Sequence, residues 1–135
     1  MKPGIYFVGD PSYVVNNHTE DAWTLFLMTR PLEHITEVIN FEDTRSSGLR
    51  LMAIATWYGE GVFYDQHNDP YNVTTGLIGV ASVAHLPEED LQDLANYGVV
   101  MEFKLPVTVV DMGKGVVRIG NIEDKELLIN TGPTP

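Results

Sequence analysis

The sequence predicts an α+β domain, mainly antiparallel β: a rolled sheet or a small sandwich or barrel with about two helices. Three observations predict it. The apolar runs are short and rich in Val, Ile, Phe and Tyr, and Gly, Pro, Asn or Asp bounds each of them. Only two segments carry helix signals, and in the first of them the run Trp23 to Met28 also reads as a buried strand. No repeat, low-complexity tract or linker interrupts the 135 residues, so residues 1–135 read as one domain. A chain of this length buries roughly two-thirds of the surface that its unfolded form exposes, enough for a core without a metal or disulfide staple.

The elements follow in order. Ile5 to Val8 reads as a strand, and Gly9-Asp10-Pro11-Ser12 as a turn in which Asp bonds a backbone N–H two residues on. Thr19-Glu20-Asp21-Ala22-Trp23 opens a helix that Pro31 ends, with Trp23, Phe26 and Leu27 on one face. Ile35 to Phe41 alternates, Leu49 to Trp57 is apolar, and the turn-rich stretch between them makes a hairpin. Val62 to Tyr64, Tyr71 to Thr75 and Leu77 to Val83 are strand-like, with breaks at Asp65 to Pro70 and at Gly76. Pro87 to Gly98 is the clearest helix, with Pro and three acids in its first turn and Gly98 as its C-terminal cap. Val99 to Lys104, Val107 to Met112, Val116 to Ile119 and Leu127 to Asn130 complete the strands, and Met112-Gly113-Lys114-Gly115 forms a tight hairpin connection.

Composition excludes several functions. There is no cysteine, hence no disulfide scaffold, thiolate metal site, iron–sulfur cluster or cysteine nucleophile. Nineteen Asp and Glu against eight Lys and Arg give a formal charge of −11, which repels nucleic acid and anionic membranes and attracts basic partners. The N-terminal run is too short for a signal peptide, and no segment approaches the roughly 20 apolar residues of a membrane helix, so the cytoplasm is the expected location.

Motifs of chemistry are few. Asp10, Glu60 and Asp65 stand at turns and are candidate acid–base carboxylates for a hydrolase or lyase, with Tyr58 or Tyr64 assisting. Asp65-Gln66-His67-Asn68-Asp69 gathers oxygen and nitrogen donors but lacks the spacing of a calcium loop, and His18, His34, His67 and His85 are not paired, so no metal is expected. Neither a Walker nor a dinucleotide motif occurs, and no cofactor is expected. Arg45 and Arg50 flank a Ser-rich turn suited to a nucleotide or other small anion. Trp57, Tyr58, Phe63, Tyr64 and Tyr71 cluster in the middle third, as core or as a binding surface, with Trp57 and Tyr64 the candidate ligand contacts.

Three segments together carry a resemblance. Tyr6-Phe7-Val8-Gly9-Asp10-Pro11-Ser12-Tyr13-Val14, Thr56-Trp57-Tyr58-Gly59-Glu60-Gly61-Val62-Phe63-Tyr64-Asp65 and Gly76-Leu77-Ile78-Gly79-Val80 resemble a loosely defined group of small phage and bacterial proteins of unknown function. The group carries Asp where this chain has Glu60. The resemblance implies a phage or prophage context. Small acidic proteins of that context look like inhibitors of host machinery or defence systems, which is analogy of setting. The leading expectation is therefore a cytoplasmic binding protein that sequesters a host protein or a small anionic ligand. It would bind neither nucleic acid nor membrane directly, and a homo-oligomer is compatible with it. The enzyme and the nucleotide sponge are the alternatives.

Overall fold

Alternation of β-branched and aromatic residues with polar ones builds two antiparallel sheets, and the alternation differs between them in a way that explains their positions. The structure is a computed structural model that describes residues 1–14, 38–42, 50–57, 59–83 and 86–132. Its elements are β1 (Gly4–Gly9), a 3-10 turn (Pro11–Tyr13), β2 (Ile39–Glu42), β3 (Arg50–Ala55), β4 (Gly61–Tyr64), β5 (Pro70–Val73) and β6 (Leu77–Ser82). They continue with α1 (Glu88–Leu94), β7 (Val99–Phe103), β8 (Thr108–Asp111), β9 (Val116–Gly120) and β10 (Glu126–Asn130). The fold is α+β and mainly antiparallel β, as the turn-bounded runs predict.

The first sheet has the order β2-β3-β6-β1-β7 and the second β5-β4-β10-β9-β8. Between them lies one core. Tyr6, Val8, Ile54, Ile78, Val80 and Phe103 enter it from the first sheet, and Tyr71, Val73, Val109, Val117, Ile119, Leu127 and Ile129 from the second. The first sheet is buried on its other face as well. There Phe7, Leu51, Ala53, Leu77 and Ala81 pack with Leu94 and Leu91 of α1 and with Val14 beyond the 3-10 turn. Two covered faces leave no room for polar alternation, which is why Leu77 to Ala81 is an unbroken buried run. Among the described residues the second sheet is packed on one face, and β4 and β8 carry exposed side chains.

Several elements depart from expectation for physical reasons. The hairpin expected around residues 43–49 exists as the pair β2–β3, with Ile39 opposite Ala53. Its tip, like the helix expected from Thr19 to Pro31, lies outside the described residues. The second expected helix is shorter than Pro87 to Gly98: α1 ends at Leu94 and its C-cap is Ala95 in a right-handed conformation. Gly98 is needed for contact, because a Cβ there would stand 2.3 Å from the Val8 carbonyl oxygen. β5 and β6, divided at Gly76 as the sequence suggests, do not pair with each other. β5 pairs with β4 and β6 with β3 and β1, so Thr74-Thr75-Gly76 is a crossing from one sheet to the other. Residues 56–60 make the same crossing between β3 and β4.

Candidate functional site

Burying a polar side chain is costly unless it is fully hydrogen-bonded, so buried polar groups mark places where the chain must be held. Among the described residues they are Asp10, Thr56, Asp65 and Thr131. Asp10 is 0 % exposed. Its Oδ1 accepts from Ser12 N at 2.9 Å, and Oδ2 from Thr74 N and Thr75 N, each at 2.8 Å. The hydroxyls of Thr74 and Thr75 donate to it as well, at 3.2 Å and at 2.9–3.0 Å. Five donors fill the roughly four lone-pair sites of a carboxylate. Asp10 thereby ties the end of β1 to the β5–β6 crossing.

Beside it, Thr56 N donates to Gly76 O at 2.9 Å, holding the two crossings together, and the Thr56 hydroxyl donates to Gly59 O. Thr131 does a similar service one strand over. Its hydroxyl oxygen accepts from Trp57 N at 3.1 Å, and the hydroxyl donates to Gly115 O at 2.6 Å.

Asp65 organises the β4–β5 hairpin. Its Oδ1 accepts from His67 N at 2.7 Å and Asp69 N at 3.1 Å, and its Oδ2 from the Tyr71 hydroxyl at 2.7 Å. Burial, then the hydrogen bond to Asp65 and the charges of Asp65 and Asp69, push the Tyr71 phenol far above its ordinary range. Gln66 extends the sheet with its side-chain amide, donating to Glu126 O and accepting from Leu128 N, each at 2.8 Å.

The three candidate carboxylates do not share a cleft. Gly61 pairs with Val73 and Tyr64 with Pro70, so Glu60 and Asp10 lie toward one end of the β4–β5 pair and Asp65 toward the other. Glu60 is exposed, whereas Asp10 is sealed. Tyr58 and Arg45 lie outside the described residues. Arg50 opens β3 at the end opposite Trp57, with its backbone N–H on the Ser82 hydroxyl at 3.0 Å. Among the described residues no group of three or more His, Asp or Glu side chains is placed to hold a metal ion. No described helix is long and apolar enough to cross a membrane.

What the structure does bring together is the end of the second sheet where the β8–β9 hairpin meets the end of β3. A cleft of about 260 Å³ opens there, lined by Ile54, Ala55, Thr56, Trp57, Asp111, Lys114, Gly115 and Val117. Ile54 and Val117 are core residues from facing sheets, so the cleft opens onto the inter-sheet space and has an apolar floor. Trp57 is 58 % exposed, and its backbone N–H is held by the Thr131 hydroxyl.

The hairpin tip is held rigidly. Gly113, Lys114 and Gly115 all have positive φ, at 88°, 54° and 81°. Gly113 N donates to Asp111 Oδ1 at 2.8 Å, and Thr131 N to Gly115 O at 2.8 Å. A Cβ on Gly115 would stand 2.5 Å from Gly132 Cα and 2.8 Å from Trp57 Cβ, so only glycine allows this approach.

Around the same end gather four of the six large hydrophobic side chains that are exposed among the described residues: Trp57, Val62, Tyr64 and Met112. Tyr64 is opposite Asn130 and Asn130 opposite Val116, whose carbonyl accepts from Met112 N, so these residues follow one another across the strands. Trp57 and Tyr64 are thus the two sequence candidates that the fold places about one end. Asp111, Met112 and Lys114 were missed, because a Gly-Lys-Gly hairpin tip reads as turn chemistry alone. The signal for Lys114 was its side chain at a position where Gly or Asn would cost less. Comparison with known proteins supplies no relative: no family model, curated protein or solved structure matches the chain.

Proposed function

We propose that this chain is a binding protein, and that its recognition surface is the end of the second sheet around Trp57. The observation that carries the reading is the gathering of Trp57, Val62, Tyr64 and Met112 about one end of a protein with a net charge of −11. Exposed apolar side chains scattered singly need no explanation, but a cluster beside an apolar cleft marks an interaction site. Trp and Tyr are the residues that most often anchor protein interfaces. The acidic surface would steer a basic protein toward that anchor, raising the association rate more than the final affinity. With the phage-type resemblance, the expected partner is a basic host protein that this chain sequesters and so inhibits in the cytoplasm.

The test is retention of a partner on immobilised protein from host lysate, at low and high salt, by the native chain and by a Trp57→Ala, Tyr64→Ala double variant. Ile122→Ala serves as control, since Ile122 is exposed but follows β9 at the end remote from Val116. A salt-sensitive partner held by the native chain and by Ile122→Ala, and lost with the double variant, supports the reading. Retention by all three removes it.

A further inference from the structure

The cleft beside Trp57 holds one acid and one base that do not pair with each other. Asp111 and Lys114 both line it and both are exposed. Neither makes an ion pair among the described residues. Asp111 spends Oδ1 on Gly113 N and has no hydrogen bond at Oδ2 among the described residues, and the Lys114 ammonium has none. Lys114 is also held at φ 54°, a conformation that costs a non-glycine residue stability. Lys114 thus combines a left-handed backbone with an unpaired charge on the rim of a cleft, a combination that suits binding.

The geometry points to a small zwitterion as the ligand of this cleft: an α-amino acid with an apolar side chain. Each wall then has a task. The ligand ammonium meets the Asp111 carboxylate, with the Trp57 indole beside it as a cation–π surface. The ligand carboxylate meets the Lys114 ammonium. The aliphatic side chain rests against half-buried Ala55 and the exposed Trp57 side chain, the parts of the lining that still have apolar area to lose to it. A simple anion would satisfy Lys114 but be repelled by Asp111, and a simple cation would meet the reverse, so only a ligand bearing both charges uses both groups. This inference rests on the proposed reading only in placing recognition at this end of the molecule.

The test is calorimetric titration of the full chain with L-leucine, with 4-methylpentanoate, which lacks the amine, and with 3-methylbutylamine, which lacks the carboxylate. L-Leucine is expected to bind at least roughly tenfold more tightly than either analogue, a ratio ordinary for one charge-assisted hydrogen bond. Asp111→Asn retains an oxygen to accept from Gly113 N, and Lys114→Asn suits a left-handed turn position, so both variants should fold. Each is expected to weaken L-leucine roughly tenfold or more. Either analogue binding as tightly as L-leucine, no binding of any of the three, or a loss in only one of the two variants overturns the inference. If L-leucine fails while the Trp57, Tyr64 double variant still loses its partner, the ligand assignment falls and the interaction surface stands. If L-leucine binds but retention of a partner ignores those two residues, the reverse holds.

Discussion

Asp10 and Lys114 are both charged residues in glycine-flanked turns, and the fold treats them in opposite ways. The Asp10 carboxylate is sealed and receives five donors from two turns. The Lys114 ammonium is exposed, carries no ion pair among the described residues and stands on a backbone conformation suited to glycine. Saturation is the mark of a group that builds the fold, because its bonding capacity is spent on the chain. An unspent group on a rigid support is available to something else. The conspicuous turn motif therefore belongs to architecture, and the plain one is the one we propose for recognition.

The largest effect should come from breaking the saturated side. Asp10→Asn puts an amide NH₂ among donors that need an acceptor. It should cost about 3–5 kcal/mol in unfolding free energy, measured in urea, because several buried N–H and O–H groups lose a partner together. A cost under about 1 kcal/mol would mean that the crossings hold without it.

Tyr71→Phe sharpens the comparison at the second buried carboxylate. It strips Asp65 Oδ2 of its donor and should cost about 1–3 kcal/mol near neutral pH. Its pH dependence has a definite sign. The folded phenol titrates above its unfolded value of about 10, so the stability it contributes is whole below pH 10 and falls as pH rises beyond it. Tyr6, raised by burial against an opposing effect of Arg50, adds to the same alkaline loss. Unfolding midpoints between pH 9 and 11 should therefore fall less steeply in Tyr71→Phe than in the native chain.

Lys114→Gly tests the unspent side. Relief of the left-handed strain should outweigh the entropy cost of glycine, leaving the variant equal or about 0.5–1 kcal/mol more stable. A thermal midpoint several degrees lower would make Lys114 a structural residue.

The architecture was largely legible in the sequence, and the site was not. Turn-bounded runs of Val, Ile and aromatic residues located β1, β3, β6 and the four C-terminal strands, because period-2 burial and turn chemistry are local. Which sheet each strand joins is a long-range matter. Gly76 marks a break equally well for a hairpin and for a crossing, and only the partners of β5 and β6 separate the two. The same limit applies to Asp10, whose acceptor role within its own turn is local but whose Thr74 and Thr75 partners are 64 and 65 residues away. Trp57 and Tyr64 were identifiable as amphipathic aromatics. Asp111 and Lys114 join them only through the hairpin that folds back onto the end of β3.

The division between building and binding residues is tested most directly by one set of urea titrations that measures the unfolding free energy of Asp10→Asn beside that of Trp57→Ala. The expected result is a loss of several kcal/mol for the sealed carboxylate and a change within about 0.5–1 kcal/mol for the exposed indole. Equal losses, or a larger one for Trp57→Ala, would contradict it, because Trp57 would then be part of the framework and the cleft it borders a by-product of packing.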